Sequence, residues 1–119
     1  MALKIKFVNG TEQAYLNALE TEEYYNGASR RTLTFEIARD AANLEELDAL
    51  CTEENLVKLE LVNEEMDVSN IYDGYVLKLK LGVEQKLTNP ETNTYTEYVS
   101  LKLGKRTYIE QKLHDLGVE

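Results

Sequence analysis

The stretch Tyr72-Asp73-Gly74-Tyr75-Val76-Leu77-Lys78-Leu79-Lys80-Leu81-Gly82-Val83-Glu84-Gln85-Lys86 decides how this chain is built. Tyr75, Leu77, Leu79, Leu81 and Val83 fall on every second residue, with Lys78, Lys80 and Glu84 among the residues between. Strand side chains point alternately to the two faces of a sheet, so this period of two predicts one long strand, half buried and half solvated. Gly74 and Gly82 interrupt the other face, where a bulge or bend is expected.

The same period recurs on both sides of this strand. Leu3, Ile5 and Phe7 alternate with Lys4 and Lys6 in a strand over Leu3 to Val8. Leu33, Phe35 and Ile37 alternate with Thr32, Thr34 and Glu36 in a strand over Arg31 to Ala38. Val57, Leu59 and Leu61 form one face of a strand from Leu56 to Val62. The last strand, Tyr95 to Leu103, sets Val99, Leu101 and Leu103 on one face, and Gly104 is read as its break. Asn9-Gly10 suits the positive φ of a hairpin turn and favours a returning strand, although Thr11 is also placed to cap a short helix. Residues 11–23 are read as strand on that ground, with helix as the alternative. Tyr24 and Tyr25 extend it, and Asn26-Gly27-Ala28-Ser29 follows as a turn. The acidic loop Glu64 to Asp67 and a polar loop around Pro90, residues 87–94, separate the later strands.

Two helices are marked by their caps. Asn43 precedes Leu44, and Glu46 is placed to reach back to it; Leu44, Leu47, Leu50 and Cys51 give the helix one apolar stripe. Thr107-Tyr108-Ile109-Glu110 is a capping box, Ile109, Leu113 and Leu116 recur at i, i+4 and i+7, and Gly117 is a fitting stop. That second stripe suits packing on the chain's own sheet first and a neighbouring subunit second. The expectation is a single domain over residues 1–119 of the α+β class. It has a mostly antiparallel, curled, barrel-like sheet of about six strands, with two short packing helices.

Composition narrows the function. Twenty-two acids against thirteen bases give a net charge of −9, which opposes binding to nucleic acid. One cysteine, Cys51, makes no intramolecular disulfide, and one histidine with no cysteine pair does not make a zinc site. The N-terminal residues alternate charge with apolar groups, unlike an export signal, and no apolar run reaches membrane-spanning length. Phosphate-binding and dinucleotide glycine patterns, a zinc-protease helix and a nucleophile elbow are missing from the sequence. His114 beside Asp115 reads as a surface pair. The acidic pairs reflect the abundance of acids, and Glu64 to Asp67 lacks the alternating ligands of a calcium loop. The expectation is therefore a non-enzymatic protein, with no cofactor, metal, small-molecule substrate, nucleic acid or membrane as partner.

Tyrosine is the positive signal. Eight tyrosines stand against two phenylalanines and no tryptophan. A ring with a hydroxyl suits surfaces that are wet in one state and covered in another. Tyr24, Tyr25, Tyr72, Tyr95 and Tyr98, together with Ile109, Leu113 and Leu116, are the candidate interface residues.

Several segments carry a family likeness. They are Glu23-Tyr24-Tyr25-Asn26-Gly27-Ala28-Ser29-Arg30-Arg31-Thr32-Leu33-Thr34-Phe35, Leu50-Cys51-Thr52-Glu53-Glu54-Asn55-Leu56, Ile71-Tyr72-Asp73-Gly74-Tyr75, and the run from Val99 through Gly104-Lys105-Arg106 to Glu110. Together they resemble small acidic proteins from the tail and baseplate genes of phages and prophages of Gram-positive bacteria. The resemblance implies a building block of a tail tip, baseplate or tail-like particle, acting through β-rich interfaces in a ring. Its partners would be further copies or neighbouring tail proteins. Its location would be the bacterial cytoplasm during assembly and then the virion. The resemblance supplies no catalytic residue. The alternative from charge alone is a small acidic regulatory binder that occupies a basic groove on a host protein.

Overall fold

The computed structural model describes residues 3–25 and 27–117, the side chain of Tyr25 excepted. Strands β1 (Leu3–Lys6), β2 (Glu12–Ala14), β3 (Asn17–Tyr25) and β4 (Ala28–Ala38) come first. A 3-10 turn (Arg39–Ala41), helix α1 (Leu44–Leu50) and a single-turn helix α2 (Glu53–Leu56) follow. Then come β5 (Lys58–Asn63), β6 (Val68–Asp73), β7 (Tyr75–Asn89), β8 (Thr94–Lys105) and helix α3 (Tyr108–Asp115).

The strands form two four-stranded antiparallel sheets, ordered β2-β1-β5-β6 and β3-β4-β8-β7. This corrects the expected single sheet of about six strands curled toward a barrel: neither sheet closes, and the described residues hold three α-helices instead of two. The physical reason lies at two corners. Tyr15 N–H donates to Leu3 in the first sheet at 3.0 Å, and Leu16 N–H donates to Glu36 in the second at 2.7 Å, so the chain changes sheet across one peptide. At the second corner Asp73 still pairs with Lys58, while Tyr75 already pairs with Lys105. Between them Gly74 takes φ +84°, a left-handed conformation that costs glycine little, and its N–H donates to Val57 at 2.8 Å. The long alternating stretch Tyr72 to Lys86 is thus two strands in two sheets.

One core lies between the sheets. Ile5, Leu59 and Leu61 come from the first, with Phe7 just beyond β1. Leu33, Phe35 and Ile37 of β4 face it across from Leu103, Leu101 and Val99 of β8, their ladder partners. Leu47 of α1 and Leu56 of α2 close it, and the Tyr15 ring meets Phe35 edge-on at 5.2 Å.

The return after Asn9-Gly10 is strand, with Gly10 at φ +90°. The turn between β3 and β4 is tighter than expected, since β4 begins at Ala28 with Gly27 at φ +79°. Leu56 belongs to α2 rather than to β5, and Val57, in helical conformation, is exposed instead of sharing a face with Leu59 and Leu61. The loop around Pro90 is shorter, because β7 continues to Asn89 and β8 starts at Thr94. Gly104 does not break β8. It lies inside the strand, where a Cβ would come within 2.8 Å of Leu79 Cδ1 and 3.0 Å of Arg30 Cδ. Glycine here leaves room for Arg30 to cross the outer face of the sheet.

Candidate protein-binding surfaces

Helix α3 is held by its polar side. Thr107 accepts the Glu110 N–H at 3.3 Å, and the Glu110 carboxylate accepts the Thr107 N–H at 2.9 Å, which completes the capping box. The same carboxylate receives Arg30 Nη2 at 2.6 Å on each oxygen. Burial pushes the Glu110 carboxyl up, but the Thr107 amide and the Arg30 guanidinium outweigh it and hold it below the usual carboxylate value of 4.5. One turn further on, His114 Nε2 lies 2.9 Å from Glu53, which also accepts Arg106 Nη1 at 3.2 Å. The hydrogen bond and charge of Arg106, with His114 beside it, hold the Glu53 carboxyl below its ordinary value. His114 thus pairs with Glu53 rather than with Asp115, and both line a cleft of about 1020 Å³ together with Thr52, Val57, Val76 and Arg106.

Residues 110 and 114 are one turn apart and share a face. Because they face the body, Ile109, Leu113 and Leu116 lie away from it, exposed at 59%, 40% and 74%, and α3 buries no residue. An amphipathic helix normally does the reverse.

At the other end of the second sheet, β7 and β8 outrun their neighbours. The last β4–β8 pair is Ala38 with Tyr98, so Thr94 to Glu97 pair only with β7. The resulting two-stranded arm extends about 13 Å of strand past that pair, at ~3.3 Å per residue, and Thr88, Thr96 and Glu97 at its base line a cleft with Leu16, Arg39 and Asp40. Its faces differ. Val83 and Leu87, opposite Val99 and Tyr95, carry the core-facing side out into solvent, where Leu87 and Tyr95 are exposed. The other face is polar. Thr96 donates to Thr88 at 3.2 Å, Lys86 pairs with Glu36 at 2.7 Å, and Lys80 pairs with Glu84.

The candidate interface residues therefore scatter. Ile109, Leu113 and Leu116 form one exposed stripe at one end. Tyr24, 85% exposed, is at the β3–β4 hairpin beside Arg30 and Glu110 at that same end. The Tyr25 side chain lies outside the described residues. Tyr95 sits on the arm, at the opposite end. Tyr98 is engaged at home, donating to Glu84 at 2.8 Å beneath Lys86, whose ammonium lies 5.5 Å from the ring centre. Tyr72 packs on the core, edge-on to Tyr75 at 5.6 Å. Tyrosine count could not separate these environments. Nothing in the sequence marks the arm residues as a surface: Val83 alternates as in any core strand, and Leu87 falls in the stretch 87–94 that reads as a loop.

Cys51 is packed against the core, and burial pushes its thiol up to about 11, away from a reactive thiolate at neutral pH. Among the described residues no cluster of His, Cys, Asp and Glu is arranged for a metal ion, and no helix is long and apolar enough to cross a membrane. No protein family, no curated protein and no solved structure matches this chain.

Proposed function

We propose that this chain is a non-enzymatic building block that works through contacts with other proteins. The observation that carries the reading is the inverted seating of α3: charges fasten it to the body and an apolar stripe faces outward. In water such a stripe is an unspent hydrophobic surface, and covering it is the favourable event that docking supplies. The likeness to phage and prophage tail-region proteins is the ground for placing the block in a tail tip, baseplate or tail-like particle. On that reading the chain meets its neighbours in the bacterial cytoplasm and leaves with the particle.

The alternative, an acidic binder of a basic groove, asks for a continuous acidic face. Here lysines intervene: Lys102 pairs with Glu23, Lys86 with Glu36 and Lys4 with Glu64. Purified tail particles and the isolated products of adjacent genes test the proposal. The chain is expected to cofractionate with the particles and to form a complex burying upwards of about 1,000 Å². Its absence from particles, with no binding to any neighbouring product, overturns it.

A further inference from the structure

Among the described residues, apolar faces stand open on the arm and on α3, and one molecule cannot join them. The arm carries Val83, Leu87 and Tyr95, and α3 carries Ile109, Leu113 and Leu116. Ten residues of β8 separate Tyr95 from Lys105, about 30 Å of strand, and the molecule is 53 Å along its greatest dimension. We infer that the arm of one copy docks on α3 of the next, so that the chain associates head to tail with itself.

The faces match in length and in charge. Val83 to Leu87 spans about 13 Å of strand and Ile109 to Leu116 about 10 Å of helix. Residues 84–97 of the arm hold three glutamates against one lysine, a net −2. Residues 105–117 hold three bases against two acids, a net +1 with His114 neutral. Glu97 lies opposite Gln85 on the apolar face of the arm, and Lys112 neighbours Leu113 on the helix. Arm on helix sets unlike charges together, whereas arm on arm would oppose glutamates, and so the pairing of unlike faces is favoured. An isolated two-stranded hairpin is marginal in water, and a helix laid on its apolar face supplies the missing layer. Because the two surfaces differ, the association is heterologous, and it closes into a ring or runs on as a filament according to the rotation between copies.

The inference rests on the reading of the chain as a building block and names one partner for it. Its test is sedimentation of the full chain over a range of concentrations. Wild type is expected to pass beyond a dimer. Tyr95→Asp and Leu113→Asp replace exposed side chains, so each should keep the wild-type melting curve at concentrations too low for assembly. Each should also sediment as a monomer, because docking would bury an unpaired carboxylate and weaken association at least ~100-fold. Mixed one to one, they should stop at a heterodimer, since one retains a working helix and the other a working arm. Glu97→Lys should weaken assembly, and adding Lys112→Glu in the same chain should restore it. A monomeric wild type, a homodimer from either variant alone, or a mixture that fails to pair overturns the inference. A wild-type monomer that still binds a neighbouring tail protein overturns self-association alone; one that binds none overturns both readings.

Discussion

Helices α1 and α3 use the same sequence devices and meet different fates. Asn43 accepts the Glu46 N–H at 3.1 Å, as Thr107 accepts that of Glu110, and both helices carry leucines at helical spacing. Leu47 of α1 is 1% exposed, whereas α3 buries nothing. The difference comes from what each helix finds beneath it. Under α1 lies the apolar core shared by both sheets. Beneath α3 lie Arg30 on β4 and Glu53 on α2, which bind Glu110 and His114 and so turn the leucines outward. Caps and periodicity start a helix. Its rotation about its own axis is set by partners distant in sequence.

The largest test of this contrast is truncation on the buried side. Leu47→Ala should cost about 2–5 kcal/mol in urea unfolding, because it removes buried methyls and leaves a cavity in a packed core. A cost below 1 kcal/mol would mean that α1 does not close the core.

Next comes the fastening of α3. Glu110→Ala deprives a buried guanidinium of its carboxylate and breaks the capping box, at about 1–3 kcal/mol in the same assay. This contribution depends on pH. The folded pKa lies below the unfolded value, so the stabilisation is complete above about pH 4.5 and fades as pH falls through the lowered folded value. The gap between wild type and Glu110→Ala should close in acid. The Asn43 cap does not titrate, so its contribution to α1 should persist there. A gap unchanged at pH 2 would show that Arg30 does not hold the helix through this carboxylate.

Smaller still are the caps. Asn43→Ala should cost about 1 kcal/mol of stability. Its sharper use is by hydrogen exchange: loss of the cap should raise exchange within α1 and leave the amides of α3 unaffected. Exchange that rises equally in both helices would tie them into one cooperative unit.

Leu113→Ala closes the series. Measured at low concentration, it should change stability by less than about 0.5 kcal/mol, against the several expected at Leu47. A cost like that of Leu47 would place the stripe against the protein's own body and remove the contrast altogether.

How much of this was legible beforehand follows from the range of each interaction. Leu33, Phe35 and Ile37 announced a buried strand face, and Thr107 with Glu110 announced a helix start, because both signals are complete within a few residues. The one-turn helix α2 was not legible. Four residues show too little period, and Leu56 reads equally well as the first residue of a strand. The split at Gly74 reads only as a bend, since no turn or polar loop separates Tyr72 from Tyr75 even though the strands on its two sides belong to different sheets. Of the candidate surfaces, the α3 stripe could be named from sequence. The arm could not, because nothing local states that β4 ends at Ala38 while β8 reaches back to Thr94.

The sequence by itself determined a mostly antiparallel protein with capped helices and a net acidic charge, since patterning, capping and charge are short-range properties. Tertiary structure alone decided that there are two sheets instead of one, which stripe is covered and which is left open. Those outcomes depend on contacts between residues far apart in the chain, such as Arg30 with Glu110, whose meeting no local window contains.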